Sequence, residues 1–263
     1  MIINKLKSII KLKTGFNFGG LEKMDITEII SNAIRYPSSD WKKVIIEGVL
    51  LILNLTVILA FGTGYTLRVL KSTLAGYDEP PEFDDWGGML IDGFKVYIVE
   101  VAYFIIPFII IFIGALGLFT ALISGISISA TVYFELILTV IVGLILLVIF
   151  GLFGTIAIAN MAYYDKISAA FKFSEILKRI SNIGWGKYIL WYVITILITI
   201  AAGIIGDLLR IIPYVGFIIA LLLVYSYIFI YSGRSVALIF KSGDEVQKTV
   251  VTSSEHVDET KPE

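Results

Sequence analysis

The 263-residue chain contains no cysteine and only one histidine, His256. The lack of cysteine excludes disulfides, thiolate metal sites and cysteine nucleophiles. One histidine without cysteine cannot supply the ligand set of a His- or Cys-based zinc or haem site. Phosphate-binding loops, Ser-x-Gly elbows and His-Glu-x-x-His motifs are also missing. We therefore expect no cofactor, and the sequence favours a protein that is not an enzyme.

Charged residues are also scarce, at 16% of the chain, whereas hydrophobic residues make up 57%. An average soluble domain is about 25% charged and about 45–50% apolar. The mean hydropathy of +0.89 and several apolar runs longer than about 18 residues indicate a polytopic membrane protein. Because these runs are continuous and do not alternate with polar residues, they predict helices and exclude a membrane barrel.

Four apolar segments reach the roughly 20 residues that a helix needs to cross the hydrocarbon layer. They cover about Phe94–Phe119, Val132–Ala159, Tyr188–Leu209 and Tyr214–Phe240. A fifth apolar segment, Val44–Tyr65, is long enough to cross once. It could instead form a short hairpin that enters and leaves the membrane on one side.

The distribution of basic residues distinguishes these two topologies. With a hairpin, 20 of the 21 Lys and Arg residues fall on one side of the membrane, whereas a single crossing puts nine inside and twelve outside. The positive-inside rule favours the hairpin. We therefore predict an all-α polytopic protein of the cell membrane, with a short hairpin or re-entrant pair plus four full transmembrane helices. Both termini are predicted to be cytoplasmic.

An internal repeat supports this arrangement. The segments Ile26–Ile46 and Phe173–Leu190 both contain a hydroxyl residue, Glu-Ile, an amphipathic stretch, a Trp and a Lys in that order. The stretches Tyr65–Leu70 and Tyr231–Leu238 both carry Tyr-x-x-Arg. The amphipathic stretches are too polar to span the membrane, so they predict two interfacial helices. Both copies have the same orientation, which makes the repeat parallel.

Composition divides the chain into three parts. Residues 1–23 are predicted to be a basic amphipathic or disordered leader that contacts anionic lipid headgroups. Residues 24–240 are predicted to form a single membrane domain, with repeat-like parts at 26–75 and 171–240. Residues 241–263 are predicted to be a disordered polar tail. The expected partner is the lipid bilayer, the sequence indicates no particular protein partner, and the placement of basic residues at membrane boundaries argues against nucleic acid.

An acidic stretch, GYDEPPEFDDWGGMLIDGFK, lies between the predicted hairpin and the first full crossing. One hypothesis is a Ca²⁺ or Mg²⁺ site, although the spacing does not match an EF-hand loop. The weak candidate ligands are Asp78, Glu82, Asp84 and Asp85. The favoured hypothesis is a solvated connector that the adjacent Pro80 and Pro81 stiffen, followed by an acid-capped helix. Tryptophans near the membrane surface are predicted interface anchors, namely Trp41, Trp86 and Trp185.

Four ionisable residues are predicted to lie near the cytoplasmic ends of the apolar segments. They are Glu47, Arg68, Glu100 and Arg234. Ionisable residues at membrane depth are functional candidates by default, but residues near helix ends can also reach the interface. We expect a polar cluster on the cytoplasmic side whose main role is mutual pairing. A substrate or proton path is the alternative.

The segments GYTLRVLKSTLAGYDEPPEFDDWGGMLIDGFK and AYYDKISAAFKFSEI resemble the signature segments of a family of membrane proteins, mainly archaeal. This is the family catalogued as domain of unknown function 4013. The resemblance covers roughly residues 24–240. It implies a multi-helical membrane fold, and it implies no established activity, ligand or catalytic residue.

Three functions remain open from the sequence. The first is a membrane-embedded interaction or organising protein. The second is a small transporter or channel, which requires a polar cavity at mid-membrane between the two repeats. The nearly pure apolar character of the crossings, as in IPFIIIFIGALGLF, counts against such a cavity. The third is a membrane enzyme that acts on lipid, with the cytoplasmic carboxylates as its only candidate catalytic groups.

Overall fold

The computed structural model describes residues 25–54, 60–123, 129–213 and 215–258. Every regular element within these ranges is helical, which confirms the all-α prediction. The predicted leader, residues 1–23, lies outside the described residues. The helices, numbered in chain order, are α1 Ile26–Arg35, α2 Trp41–Asn54, α3 Ala60–Leu74, α4 Trp86–Ile123, α5 Ala130–Tyr164, α6 Phe173–Ile183, α7 Trp185–Leu209, α8 Val215–Ile219 and α9 Ser226–Asp258.

Short helical turns connect several of these helices. Two 3₁₀ turns, Pro37–Ser39 and Ile167–Phe171, precede α2 and α6, and a π-helical turn, Ala220–Tyr225, joins α8 to α9. Since α9 continues to Asp258, it extends into the segment 241–263. The disorder of that segment stays a prediction.

Four helical segments are long and apolar enough to cross a membrane, as the sequence predicts. They are Trp86–Ile123, Ala130–Tyr164, Trp185–Leu209 and Val215–Gly243. Many of their large apolar side chains are exposed, among them Phe112 on α4 and Leu197 on α7. A surface of this kind is costly in water and favourable against lipid. The four helices therefore identify a multi-pass membrane protein.

The helices α2 and α3 form a pair whose two outer ends meet. Lys43, near the start of α2, donates a hydrogen bond of 2.6 Å to the carbonyl oxygen of Pro80, just after α3. Tyr36 donates one of 2.9 Å to the carbonyl oxygen of Glu79. With 14 and 15 residues, both helices are shorter than the roughly 20 residues of a full crossing. The chain thus enters and leaves this pair at one end of the bundle, which we call the charged end.

Glycines let the pair approach the first long helix closely. A Cβ atom at Gly93 of α4 would lie 1.7 Å from the carbonyl oxygen of Ala60, and one at Gly64 of α3 would lie 2.0 Å from that of Met89. No side chain can occupy either space, so the backbones of α3 and α4 pack directly against each other. The corresponding helices of the two repeats, α3 and α9, also pack together.

The buried core lies toward the charged end, where the amphipathic helices α1 and α6 cover the bundle. Ile29 of α1 and Ile176 and Ile180 of α6 are fully buried in one apolar cluster with α5, α7 and α9. Asp25 caps α1 by accepting a hydrogen bond from the backbone amide of Ile26, and negative charge favours a helix start. This packing holds α1 and α6 beside the long helices and leaves their polar faces outward.

Candidate functional site

The acidic stretch forms a loop between α3 and α4, residues 75–85, which we call the acidic loop. Arginines from both repeats hold its two ends. Arg68 donates hydrogen bonds to the carbonyl oxygens of Asp84 and Asp85. Arg234 donates to the carbonyl oxygen of Tyr77 and to Oδ1 of Asp78, each at 2.7 Å. These two arginines end the two Tyr-x-x-Arg motifs, so the repeat brings both of them to one loop.

The middle of the acidic loop is held by the α2–α3 pair. The Nζ atom of Lys43 lies 2.7 Å from Oε1 of Glu82, in addition to its bond to the carbonyl oxygen of Pro80. Tyr65 donates a hydrogen bond of 2.9 Å to the carbonyl oxygen of Pro81. Backbone carbonyls accept most of these hydrogen bonds. The bonds therefore fix the backbone conformation of the loop in addition to pairing its charges.

Arg234 is the most buried of the basic residues that hold the loop, with 4% of its surface exposed. Its guanidinium lies over the ring of Tyr36, 4.5 Å from the centroid, and donates a 3.0 Å hydrogen bond to Oδ1 of Asn32. Burial raises the pKa of the Tyr36 phenol, and the positive charge of Arg234 opposes that rise. Arg234 therefore joins α1, the acidic loop and α9.

The four weak candidate metal ligands meet three different basic side chains. Asp78 pairs with Arg234, Glu82 with Lys43, and both Asp84 and Asp85 with Arg68. Within the described ranges, no group of three His, Cys, Asp or Glu residues could hold a metal ion. The structure thus shows these carboxylates as parts of ion pairs, and it does not gather them around one point.

A second set of charges joins α3, α4 and the end of α5. Lys71 lies 3.1 Å from Oδ2 of Asp92 and 2.7 Å from Oδ1 of Asp165, and Lys95 lies 2.9 Å from Oδ1 of Asp92. The hydrogen bond and the positive charge of Lys71 lower the pKa of the Asp165 carboxyl. Sequence reasoning missed this set. The three-residue spacing of Asp92 and Lys95 could have predicted their pairing, but no local pattern marks Asp165 as a partner of Lys71.

The predicted polar cluster of Glu47, Arg68, Glu100 and Arg234 does not come together as one group of paired side chains. The two arginines bind the acidic loop. Glu47 is fully buried, and its carboxylate oxygens have no hydrogen-bond partner among the described residues. Glu100 lies deeper along α4, at the wall of a cavity.

This cavity, the inter-repeat cavity, has a volume of about 430 Å³ and lies between the two repeats. Helices α3 and α9 of the two repeats supply most of its wall, and α4, α5 and α7 complete it. Its polar lining residues are Thr63, Thr66, Glu100, Thr155, Thr199 and Ser232. The apolar part of the wall includes Leu67, Leu70, Val96, Ile158, Phe229 and Val236.

The depth of the cavity follows from helix geometry. Glu100 lies two turns beyond Asp92, which is about 12 Å at a rise of 1.5 Å per residue. Thr155 lies almost three turns before Asp165, or about 15 Å from it by the same rise. The ion pairs around Lys71 mark the charged end, and the hydrocarbon layer is about 30 Å thick. If these charges lie at headgroup level, Glu100 and Thr155 lie close to the middle of the membrane.

The polar lining of the inter-repeat cavity bears on the sequence argument against a mid-membrane cavity, which stays a prediction. That argument considered the centres of the four crossings, and these are apolar. Two of the polar groups, Thr63 and Thr66, come instead from α3, which is too short to cross. Their three-residue spacing places both on one helix face, and this was the available signal. The local sequence does not show which helix this face contacts.

Glu100 also borders a second concave surface, on the outer side of α4. This groove has a volume of about 850 Å³, and apolar residues between Tyr97 and Ala115 line the rest of it. Glu100 thus stands between a surface that faces lipid and the inter-repeat cavity. The three predicted anchors, Trp41, Trp86 and Trp185, lie at the first residues of α2, α4 and α7 and are exposed. Their role at headgroup level stays a prediction.

Comparison with protein families gives a match to this chain. The family model described as Protein of unknown function (DUF4013) matches residues 47–212. The match contains Arg68, the acidic loop, Glu100 and Thr199, and it ends before α9, which carries Ser232 and Arg234. No curated protein and no solved structure matches the chain.

Proposed function

Given that the chain belongs to the DUF4013 family of proteins of unknown function, we propose that it binds small polar solutes in the inter-repeat cavity and moves them across the membrane, as a small transporter or channel. The observation that supports this proposal is the cavity itself, a space of about 430 Å³ lined by five hydroxyl groups and one carboxyl group. Polar groups at membrane depth are costly and line sites or pathways when they occur.

The arrangement of the repeats supports this proposal. In transporters built from internal repeats, the substrate site lies near mid-membrane at the interface between the repeats. Here the corresponding helices α3 and α9 pack together, and both line the cavity.

We further propose that the charged end faces the cytoplasm. The support for this orientation is that basic residues concentrate at the charged end, because the positive-inside rule places such residues in the cytoplasm. In this orientation both predicted ends of the chain, the acidic loop and the ion pairs around Lys71 would be cytoplasmic. The amphipathic helices α1 and α6 would lie along the inner leaflet, with anionic headgroups as their partners.

An organising or interaction protein is the second candidate, and the acidic loop favours it. The side chains of Asp78, Glu82, Asp84 and Asp85 are 74–85% exposed although each meets a basic residue. A loop of fixed shape with outward carboxylates would suit a basic segment of a partner protein. No comparable feature of the described residues favours a lipid-acting enzyme.

The test of the proposed function is solute uptake by liposomes that contain the purified full chain. The panel comprises glycerol and urea, ammonium and sodium, and chloride and acetate. We expect at least one of these solutes to enter faster than in protein-free liposomes. The variant Thr155→Phe places a ring in the cavity and should lower that uptake about tenfold or more, because the ring occupies the space that the solute needs.

The matched control is Val148→Phe, which adds the same ring on the exposed face of α5. It should leave uptake near the wild-type rate. Uptake equal to that of protein-free liposomes for every solute would overturn the proposal. An equal loss in both variants would show that the cavity is not the path.

A further inference from the structure

We infer that the solute of the inter-repeat cavity is a small organic cation with a single positive charge, such as a protonated amine. This inference rests on the proposed function, since it assigns the chemical class of the solute for the same cavity. It is carried by the direction in which the lining groups donate their hydrogen bonds.

All five lining hydroxyl groups donate their proton to a backbone carbonyl oxygen, and Thr63 donates to that of Ala60 at 3.3 Å. Thr155 donates to the carbonyl oxygen of Gly151 at 2.8 Å, Thr199 to that of Thr195 at 2.9 Å, and Ser232 to that of Ile228 at 2.7 Å. Thr66 donates to the carbonyl oxygen of Phe229 at 3.4 Å. A carbonyl oxygen can only accept, so the direction of each bond is unambiguous.

A hydroxyl group has one proton and two lone pairs. Once the proton is donated to a helix carbonyl, the oxygen can offer only lone pairs to a ligand. No Lys, Arg, His, Asn, Gln or Trp is among the described lining residues. The backbone N–H groups of these helices are engaged within the helices. The polar part of the wall therefore accepts hydrogen bonds and donates none, which fits a ligand that is rich in donors.

Glu100 is the one acidic side chain among the described residues of this acceptor-lined wall. No Lys, Arg or His among the described lining residues could serve as its counter-ion. A membrane-buried carboxylate without a counter-ion is costly, and a cation in the cavity would supply that counter-ion. One carboxylate balances one positive charge. Divalent ions such as Ca²⁺ usually bind several carboxylate oxygens, so a single charge is the better match.

The size and the apolar wall of the cavity distinguish an organic cation from a metal ion. A volume of about 430 Å³ has room for several water molecules, each of which takes about 30 Å³ in the liquid. A bare alkali ion would leave most of this space without contacts. A protonated alkylamine would place its N–H groups against the hydroxyl and carboxyl oxygens and its alkyl part against Leu67, Val96 and Ile158. Phe229 also lines the cavity, and aromatic side chains attract ammonium groups.

Equilibrium binding to the full chain in lipid nanodiscs at pH 7 tests this inference. The probes are butylammonium, 1-butanol and butyrate, which share the alkyl chain and differ in charge, together with sodium and potassium. Empty nanodiscs correct for partition into lipid. We expect saturable binding of butylammonium and no saturable binding of the other four probes.

Two variants connect the binding to the cavity. Glu100→Gln keeps the size of the side chain and removes the charge, and it should weaken butylammonium binding about tenfold or more. Thr155→Val removes one acceptor without changing the shape, and it should weaken binding by about two- to fivefold. The control Glu135→Gln makes the same change at an exposed position of α5 and should leave the affinity unchanged. Thr155→Val keeps the test decisive if Glu100→Gln does not fold.

The outcomes separate this inference from the proposed function. Binding of 1-butanol or butyrate as tight as that of butylammonium would overturn the cationic class and leave the cavity as a solute site. Sodium or potassium as the only bound cation would overturn the assignment to an organic cation. Unchanged butylammonium affinity in both Glu100→Gln and Thr155→Val would place the bound cation elsewhere and overturn the inference. No saturable binding combined with no solute uptake would overturn both proposals.

Discussion

Single residues show most clearly how distant parts of the chain meet. Arg68 and Arg234 occupy the same position in the two repeats, and both bind the acidic loop, at its opposite ends. Glu47 and Glu100 were grouped with them from sequence because all four lie near the ends of apolar segments. Their partners separate the four residues. The arginines have long side chains with several donors and bind the acidic loop, whereas Glu47 is buried in the bundle and Glu100 borders the inter-repeat cavity.

The pair of Lys71 and Asp165 should make stability depend on pH. Lys71 lowers the pKa of Asp165 below its ordinary value of 3.8 in the folded protein. A lowered folded-state pKa contributes stability that is complete well above pH 3.8 and is lost as the pH falls through the lowered value. The carboxyl group is largely exposed, so the contribution should be at most about 1 kcal/mol.

The measurement compares the Tm of the wild type and of Asp165→Asn between pH 7 and pH 3. Asp165 closes α5 in the left-handed conformation, with φ of 50°, and Asn tolerates that conformation, so the variant should change little except the charge. We expect the wild type to be more stable at pH 7 and the difference to vanish toward pH 3. A difference that stays constant over this range would contradict the prediction.

At the scale of elements, the acidic loop is a connector whose position is set by both repeats. Its predicted solvated character agrees with the exposure of its carboxylates. The sequence interpretation did not include the basic side chains that hold the loop. Pro80 and Pro81 limit the loop's conformations, and their carbonyl oxygens accept bonds from Lys43 and Tyr65. A proline contributes no amide hydrogen, but its carbonyl accepts as well as any other.

The two arginines should contribute unequally to the hold on this loop. Arg234→Gln removes hydrogen bonds from a guanidinium that is almost fully buried, and it should cost about 2 kcal/mol of stability. Arg68→Gln makes the same change at a side chain that is 14% exposed and meets exposed carboxylates, so it should cost about 1 kcal/mol or less. Thermal unfolding of both variants in the same detergent gives the comparison. A larger loss of stability in Arg68→Gln than in Arg234→Gln would contradict this prediction.

At the scale of the whole molecule, the four long helices and the short α2–α3 pair place the two repeats side by side. The contact between Lys43 and Pro80 brings both ends of the short pair to the charged end. The inter-repeat cavity exists only because α3 and α9 meet there. Its hydroxyl groups look ordinary in each helix taken separately, since each donates to a helix carbonyl as threonine and serine commonly do in apolar helices.

Membrane orientation can be tested with single cysteines, because the natural chain has none. Tyr77 in the acidic loop and Ile211 in the turn after α7 are both well exposed, at 67% and 75%. Tyr77 lies at the charged end of the bundle, and Ile211 lies at the opposite end. In intact cells, an impermeant thiol reagent should label Ile211→Cys and leave Tyr77→Cys unlabelled until the cells are opened. The reverse pattern would contradict the cytoplasmic orientation, and labelling of both without opening the cells would contradict the arrangement of the spans.

The sequence by itself determined the membrane class, the four spans, the amphipathic helices and the family. Each of these depends on properties that add up along a short stretch of chain, because the transfer of a helix into lipid depends on its own residues and on the satisfaction of its own backbone. Only the tertiary structure decided which carboxylates meet Lys43, Lys71 and the two arginines, and that Glu100 faces a cavity. These features depend on the rotation and spacing of helices that are distant in sequence, and packing among all of them sets that geometry.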